Sequence, residues 1–224
     1  SLHMKLISGS SNLPLATKIA DYIGIEIVDL EITKFANGEK RVWVKDNVAG
    51  ENICLVQSFN LPVDENVMES LLIIDALERA GVKHVNFIIP WMGYSLQDKV
   101  FRDGEPIAAK VVADIISSSY VKRVTLLDLH NSSIPGFFSI PTHHILALKP
   151  FAQYVESNFD LNEAVVVSPD FGGLKRARTF ADTLSLELEN IDKHRDLYTG
   201  KVTPKGLSGD VTDKVCLIYD DVIN

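Results

Sequence analysis

The segment Lys214-Val215-Cys216-Leu217-Ile218-Tyr219-Asp220-Asp221 joins a short apolar run to two adjacent acids at its carboxyl end. Strands buried in a parallel sheet are near-continuous apolar runs, and ligands of open α/β sheets bind beyond the carboxyl ends of the strands. The segment therefore predicts a buried parallel strand with Asp220 and Asp221 at the ligand-binding edge of a sheet. Acids also occur at solvated strand ends before turns, so this segment alone leaves both interpretations open.

Similar apolar runs alternate with segments of helical periodicity along the chain. The runs are Asn52–Gln57, His84–Pro90, Val124–Leu129 and Ala164–Ser168. Apolar residues between Val67 and Leu77 recur at helical spacing, and a second helix is predicted over Pro106–Ser117. The buried stripe predicted for this second helix is Ile107, Val111, Val112, Ile115 and Ile116. The alternation predicts an α/β fold in which helices flank parallel sheets.

The segment Pro141–Pro150, which is bounded by prolines, is the best candidate for a domain junction. We therefore predict one domain over residues 4–146 and a second over residues 147–224. About 75 residues follow the junction, which is short for a doubly wound domain, so we expect the second domain to be incomplete.

Composition limits the classes of partner and compartment. With 46% hydrophobic and 23% charged residues the chain is typical of a soluble globular protein, and its net charge of -8 argues against a nucleic-acid-binding surface. No apolar run approaches the roughly 20 residues that span a bilayer, and no signal peptide opens the chain. We therefore expect a cytoplasmic protein with no membrane or nucleic-acid partner. Cys54 and Cys216 both lie in apolar runs and are expected to be buried, reduced thiols.

Two further apolar runs also end in side chains that could bind a metal ion or a phosphate. His130 follows one of them, where an imidazole could ligate a metal, contact a phosphate or serve as a satisfied structural histidine. Asp170 follows another and precedes two glycines, a pattern that suits either a ligand site or an ordinary helix N-cap. Three strand ends with Asp or His favour one polar crevice, in which Mg²⁺ would be held through waters, carboxylate and substrate phosphate.

Basic side chains cluster at two places after the predicted junction. Lys175, Arg176 and Arg178 open a predicted helix, which suits an anion-facing edge. Lys193 and Arg195 precede the stretch from residue 198 to residue 209, which contains Gly and Pro and is predicted to be a mobile loop. Cations on such a lid could meet charge that develops in a transition state. A solvated helix face and a solvated loop are the respective alternatives.

Several longer segments, taken together, carry a specific resemblance. They are Phe35-Ala36-Asn37-Gly38-Glu39, Val56-Gln57-Ser58, Ile74-Asp75-Ala76-Leu77, Pro90-Trp91-Met92-Gly93-Tyr94-Ser95-Leu96-Gln97-Asp98-Lys99, Pro106-Ile107-Ala108-Ala109-Lys110, Asp128-Leu129-His130, Gly136-Phe137-Phe138, Ser168-Pro169-Asp170-Phe171-Gly172-Gly173, Lys175-Arg176-Ala177-Arg178 and Tyr219-Asp220-Asp221. In order and spacing they resemble the ribose-phosphate pyrophosphokinase family, also called phosphoribosyl pyrophosphate synthetases, from Met4 to Asn224.

The resemblance implies a tandem of two phosphoribosyltransferase-like (type I) domains and a kinase of nucleotide biosynthesis. Such a transferase moves the pyrophosphoryl group of ATP to the 1-hydroxyl of ribose 5-phosphate and releases AMP, with Mg²⁺ as cofactor. In the family, the segment resembling Phe35–Glu39 reaches into a neighbouring subunit's site. The resemblance therefore also implies self-association into a homo-oligomer, a dimer or a hexamer.

Roles for individual residues follow from the same resemblance. His130 and Asp170 would hold Mg²⁺, and the acid pair Asp220 and Asp221 would bind the ribose hydroxyls. The catalytic residues would be Lys193, Arg195 and His130. The ATP site would be lined by Phe35, Asn37, Glu39, Gln97, Asp98 and Lys99.

Two departures from the family pattern bear on activity. Leu96 stands where the family usually has Arg, so a bidentate phosphate contact is missing and ATP affinity is expected to suffer. The sequence also stops where the family continues with a Thr/Gly-rich loop for the sugar 5-phosphate, so we expect this 224-residue chain to be nearly inactive. The alternative is a non-catalytic, synthetase-like regulatory or assembly subunit, for which Leu96 would be natural. A plain phosphoribosyltransferase is disfavoured, because those enzymes do not use ATP.

Overall fold

The computed structural model describes residues 4–196, 198–199 and 201–223, and for residues 194 and 195 it describes the backbone alone. The helices and strands in this part of the chain are β1 (Met4–Ser8), α1 (Leu13–Ile23), β2 (Leu30–Lys34), β3 (Lys40–Val44), β4 (Asn52–Val56), α2 (Val63–Arg79), β5 (His84–Ile89), α3 (Ala108–Ser118), β6 (Arg123–Leu127), β7 (Thr142–Ile145), α4 (Leu148–Asn158), β8 (Ala164–Ser168), α5 (Leu174–Leu184), β9 (Leu188–Arg195), β10 (Val202–Leu207) and β11 (Val215–Ile218). They form two compact units, the first ending at Ile145 and the second beginning at Leu146.

The first unit is built on a five-stranded parallel sheet with strand order β1-β4-β5-β6-β7. Successive strand residues point to opposite faces, so each face of the sheet buries its own set of apolar side chains. One face packs against α2 and α3 around fully buried residues such as Phe87 and Ile116. On the other face, Leu6 and Val56 pack with Ala16 and Ala20 of α1.

The strands β2 and β3 form an antiparallel hairpin outside this sheet, with Leu30 opposite Val44 and Lys34 opposite Lys40. Its apolar side chains, among them Ile32 and Val42, pack against the larger core. The sequence analysis did not predict this hairpin. Its strands are only five residues each, and Lys40–Val44 do not alternate polar and apolar residues, so their pattern is too weak to distinguish from a loop.

The second unit contains a four-stranded sheet with order β10-β9-β8-β11. Its strand β8 is parallel to both β9 and β11, whereas β10 is antiparallel to β9. Its core lies between this sheet and the helices α4 and α5, and the ring of Phe180 stacks on Tyr219 with 4.2 Å between centroids.

The α/β class with parallel sheets flanked by helices is confirmed, but the predicted stripe of α3 is partly wrong. The side chains of Val111 and Ile115 are 50% and 40% exposed, and the face that packs on the sheet comprises Ala108, Ala109, Val112, Ala113 and Ile116. The helix is apolar around more than half of its surface, so periodicity alone could not select the buried face. Small alanine side chains on the selected face let the helix backbone approach the sheet closely.

Two predictions in the second unit are also wrong. The stretch from residue 198 to residue 209 is not a loop throughout, because Val202–Leu207 pair with β9 as the edge strand β10. Its register shifts between Pro204 and Gly206, a bulge that an edge strand tolerates. Cys216 is exposed instead of buried, since β11 lies at the edge of the described sheet, and Cys54 is only partly buried. Among the helices of the described residues, none has the length and apolar character needed to cross a membrane.

Candidate functional site

The predicted ATP-binding residues Phe35, Asn37 and Glu39 lie in the tight turn between β2 and β3. The Phe35 N–H donates to the carbonyl of Glu39 at 2.9 Å, and Gly38, with φ +90°, supplies the left-handed conformation that closes the turn. The Asn37 side-chain amide donates to Glu39 Oε2 at 2.7 Å, while Asn37 Oδ1 accepts the Glu39 N–H at 3.1 Å. These bonds stiffen the turn, which presents a 53% exposed Phe35 ring beside a paired amide and carboxylate.

A buried ion pair anchors the base of this hairpin. Lys40, the first residue of β3, places Nζ 2.8 Å from Oε1 of Glu69, which is fully buried on α2. Glu69 also accepts bonds from the Ser10 N–H and hydroxyl and from the Gln57 side-chain amide. Burial acts to raise the pKa of Glu69, but the bonds from Lys40 and Ser10 outweigh it and hold that pKa below its ordinary value. The buried Glu69 carboxylate is therefore paired and hydrogen-bonded, and through Lys40 it holds the start of β3 in place.

A cavity of about 410 Å³ lies beside this ion pair. Its charged lining residues are Lys34, Lys40, Glu65 and Glu69, and Lys34 Nζ is 2.8 Å from Glu65 Oε2. Two lysines and two glutamates balance each other, so the lining carries no excess charge that would select an ionic ligand. We assign this cavity no ligand.

The predicted residue Gln97 lies in a loop that is tied to the start of α3. Its N–H donates to the carbonyl of Tyr94 at 3.0 Å, and its own carbonyl accepts the N–H of Ala109 at 3.1 Å. Lys99 in the same loop has Nζ 5.1 Å from the ring centroid of Phe101. Leu96 is 39% exposed in this loop.

The structure joins this loop to the one that carries His130. The side-chain amide of Asn131 donates to Oδ2 of Asp98 at 2.7 Å, and Asn131 Oδ1 accepts the N–H and hydroxyl of Ser133 at 3.0 and 2.8 Å. Asp98 and the neighbour of His130 are thus in direct contact, although 33 positions separate them in the sequence. Sequence reasoning gave Asn131 no role, and its position beside His130 was the available signal.

In the second unit, the two adjacent acids that follow β11 lie near one basic side chain. Arg176 Nη1 is 2.9 Å from Asp221 Oδ1 and 3.5 Å from Asp220 Oδ1. Burial, followed by the hydrogen bond with Asp221 and the negative charges of Asp221 and Asp170, raises the pKa of Asp220. Asp170 Oδ1 accepts the N–H of Gly173 at 2.9 Å just before α5, but the N-cap of this helix is Gly173, so the alternative of Asp170 as an ordinary helix N-cap is wrong.

The remaining predicted site residues are divided between the two units. His130 belongs to the first unit, whereas Asp170 and Lys193 belong to the second, so the single polar crevice stays a prediction. Lys193 lies within β9, and the side chain of Arg195 falls outside the described residues. The roles assigned to all these residues remain predictions.

Within the described ranges, no group of three or more His, Cys, Asp or Glu side chains is gathered so as to hold a metal ion. Zinc and calcium cages need such a set, whereas Mg²⁺ is commonly held by one or two carboxylates together with waters and substrate phosphates. The single carboxylate of Asp170, with one oxygen on a backbone N–H, suits that second mode. The donors present therefore fit a magnesium ion that arrives with a phosphorylated substrate.

The fold and these clusters define an α/β protein that collects polar side chains at the carboxyl ends of parallel strands, an arrangement common in proteins that bind phosphorylated ligands. Residues 4–119 match the family model for the N-terminal domain of ribose phosphate pyrophosphokinase. The chain is 42% identical over 223 residues to the ribose-phosphate pyrophosphokinase of Fusobacterium nucleatum, which covers 99% of this chain and 70% of that protein. It is 40% identical over 226 residues to the ribose-phosphate pyrophosphokinase of Thermotoga maritima, covering 100% and 71% of the two chains.

The structure resembles the crystal structure of phosphoribosylpyrophosphate synthetase from Mycobacterium smegmatis, with a TM-score of 0.87 and 33% sequence identity. The match covers 97% of this chain and 70% of that chain. The chain therefore belongs to the ribose-phosphate pyrophosphokinase family, and its resemblance to that family is confirmed.

Proposed function

We propose that this chain transfers the pyrophosphoryl group of ATP to the 1-hydroxyl of ribose 5-phosphate, giving phosphoribosyl pyrophosphate and AMP. One observation carries the proposal: the similarity to the Fusobacterium nucleatum relative covers 99% of this chain. That relative is named a ribose-phosphate pyrophosphokinase, and the name specifies this reaction. The similarity spans both units and both clusters of polar residues described above. Because the reaction consumes ATP, we also propose the cytoplasm as its compartment.

We assign the ATP-binding role to the hairpin turn and to the loop that contains Gln97. The exposed ring of Phe35 offers a face on which a base can stack, and the Asn37–Glu39 pair offers hydrogen-bonding groups beside it. Gln97, Asp98 and Lys99 lie on the loop held by α3 and Asn131, where Lys99 supplies a cation for the phosphates. The proposal includes a homo-oligomer in which one subunit's turn serves its neighbour.

We assign the sugar-binding role to the acid pair at the end of β11. Carboxylate oxygens of Asp220 and Asp221 accept hydrogen bonds from ribose hydroxyls, and Arg176 holds the two carboxylates in place. Lys193 and Arg195 meet the negative charge on the transferred group and on the leaving oxygen. The ribose 1-oxygen forms a bond to the β-phosphorus and its proton passes to solvent. The bond between the β-phosphorus and the oxygen that bridges to the α-phosphorus breaks, and AMP leaves with that oxygen.

His130 and Asp170 are the residues that we assign to hold Mg²⁺. The ion, when bound, neutralises charge on the phosphate oxygens of ATP, which is the main requirement of phosphoryl-type transfer. No covalent nucleophile is needed, because positioning and charge neutralisation carry such reactions.

The test compares two versions of the chain. One is the 224-residue chain, and the other is an extended version that continues into the C-terminal segment of the Fusobacterium nucleatum relative, which is longer than this chain. Both are mixed with ATP, ribose 5-phosphate and Mg²⁺, and phosphorus NMR follows AMP and phosphoribosyl pyrophosphate. We expect equal amounts of the two products from the extended version, and the 224-residue version tests the expectation of low turnover.

Matched variants of the extended version test the assigned roles. Lys193→Ala removes a cation that acts on the transition state and is expected to lower kcat by about a hundredfold or more. Lys149→Ala, a substitution at an exposed position of α4, is the control and should leave kcat within about twofold. A folded extended version that forms no AMP would contradict the proposal.

A non-catalytic regulatory or assembly subunit is the second candidate, and one observation favours it. Leu96 places an apolar, partly exposed side chain where a bidentate phosphate contact is usual in the family. An inert extended version that becomes active only after Leu96→Arg, or that raises the activity of a co-expressed relative, would support this candidate.

A further inference from the structure

His144 on β7 contacts the backbone of the loop that carries His130. The Leu129 N–H donates to Nε2 of His144 at 3.0 Å. Strands β6 and β7 are parallel neighbours with Leu126 opposite His144, so the chain that leaves β6 passes directly beside this imidazole. A second bond, from the Asp128 N–H to the carbonyl of Ile145 at 2.9 Å, holds the same loop to β7.

The loop needs this support because its backbone conformation is unfavourable. Asp128 has φ +41°, in the left-handed region that side chains other than glycine rarely adopt. It turns the chain two residues before His130. Leu129 is buried in the larger core of the first unit, so its N–H would lack a partner if the imidazole acceptor were removed. Such strained segments persist only where the surrounding structure holds them.

The imidazole can accept this bond only while Nε2 carries no proton. Burial lowers the pKa of His144, and the neighbouring His143 lowers it further, while the charge of Asp128 acts in the opposite direction. The net effect favours the neutral ring near neutral pH, which is the form that accepts the Leu129 N–H.

We propose that His144 is a positioning residue for His130. Its Nε2 accepts the Leu129 N–H and so fixes the backbone of the loop after β6 from which the His130 side chain extends. The inference rests on the proposed function, in which His130 helps to hold Mg²⁺. His144 does not itself contact substrate or metal in this role.

The experiment uses the isotopically labelled 224-residue chain and reads two NMR signals. The first is the hydrogen-exchange rate of the Leu129 amide, which reports the bond to His144. The second is the Mn²⁺ concentration that half-broadens the ring signals of His130, where Mn²⁺ replaces Mg²⁺ as a paramagnetic probe. Thermal unfolding of each variant shows whether the fold is intact.

His144→Ala removes the acceptor, so we expect about tenfold faster exchange at Leu129 and about tenfold more Mn²⁺ for half-broadening. His144→Gln places an amide oxygen near the same position and is expected to restore most of both signals. The exposed neighbour His143 gives the control, and His143→Ala should change neither.

Three results would contradict part of the argument. A folded His144→Ala variant with unchanged exchange and unchanged Mn²⁺ response overturns the positioning role. A Gln variant as impaired as the Ala variant, with normal exchange at Leu129, also overturns it, because the hydrogen bond would then be irrelevant. If Mn²⁺ leaves His130 unaffected in the unsubstituted chain, the proposed metal role fails instead, and the effect of His144→Ala on the His130 backbone shifts decides the positioning role alone.

Discussion

Lys40 and Glu69 form an ion pair with 2.8 Å between Nζ and Oε1, although Glu69 is fully buried. A charged group in a protein interior is costly unless it is paired and hydrogen-bonded. Glu69 meets both conditions through Lys40, Ser10 and Gln57. Because Lys40 immediately follows Glu39, the pair connects the proposed ATP-binding turn to the core of the first unit.

The first prediction concerns the stability of this unit. Lys40→Met keeps a long apolar stem but leaves the Glu69 carboxylate buried without its cation. We expect the free energy of unfolding to fall by about 3 kcal/mol. Both tryptophans, Trp43 and Trp91, belong to the first unit, so their fluorescence during urea denaturation measures its unfolding.

Lys34→Met is the matched control for that variant. Lys34 also pairs with a glutamate, at 2.8 Å from Glu65, but both side chains are about half exposed. Exposed pairs contribute little, so the expected change is below about 1 kcal/mol. Equal decreases in the free energy of unfolding for the two variants would show that the burial of Glu69 does not strengthen its ion pair.

The second prediction concerns the pH dependence of stability. Although burial opposes it, bonding to Lys40 and Ser10 holds the pKa of Glu69 in the folded chain below its ordinary value of 4.5. The unfolded chain therefore takes up this proton first on acidification. The resulting stabilisation is fully present above the ordinary value and is lost as the pH falls through the lowered pKa.

Glu69→Gln removes this titration and provides the comparison. We expect the difference in unfolding free energy between the parent chain and Glu69→Gln to shrink as the pH falls from about 6 to about 3. Urea denaturation at several pH values measures it. A difference that stays constant over this range would mean that Glu69 does not carry the predicted shift.

The third prediction concerns the acid pair of the second unit. Arg176→Met removes the cation beside Asp220 and Asp221, and the Asp221 side chain is only 6% exposed. We expect the two adjacent carboxylates to destabilise the end of β11 by about 2 kcal/mol. Hydrogen exchange of the amides in β8 and β11 measures this local stability.

The exposed residue Arg178, on the same helix, supplies the control for this third prediction. Arg178→Met removes an equal charge two residues further along α5 and is expected to change exchange by less than about twofold. The role given to Arg176 fails if the two variants have the same effect on β11.

The fourth prediction concerns ATP affinity and rests on the proposed function. Leu96→Arg introduces the planar cation that the family resemblance leads us to expect at this position, and Leu96 is exposed enough to accept it. We expect about tenfold tighter binding of ATP with Mg²⁺, measured by calorimetry, because bidentate Arg–phosphate contacts are strong. Leu96→Met should leave the affinity unchanged, and an Arg variant no better than Met would remove this loop from the ATP site.

The strands and helices that were predicted correctly are those whose apolar pattern lies entirely within their own segment. The strand β8 begins and ends where its apolar run does, and the helix α2 contains the predicted apolar repeat. The hairpin β2–β3 and the strand β10 were missed, because their residues become strands only through pairing with a partner. The exposed face of α3 was misjudged for a related reason, since the sheet selects which apolar stripe is buried.

The candidate site likewise has some features that the sequence predicted and others that it did not. The positions of His130, Asp170 and Asp220 after apolar runs were visible in the sequence, because polar residues at strand ends form a local pattern. The contacts that hold these loops were not visible. Asn131 bonds to Asp98 across 33 positions, and Leu129 bonds to a histidine 15 positions away.

The sequence by itself determined the alternation of strands and helices and the family, because periodicity and motif spacing are properties of consecutive residues. Only the tertiary structure decided which charges and hydrogen-bonding groups meet. Glu69 in the apolar stripe of α2 gave no indication that its cation would be Lys40, 29 positions earlier. The reason is physical: the energy of an ion pair or a hydrogen bond depends on distance and burial in space, and both are set by how separate segments pack.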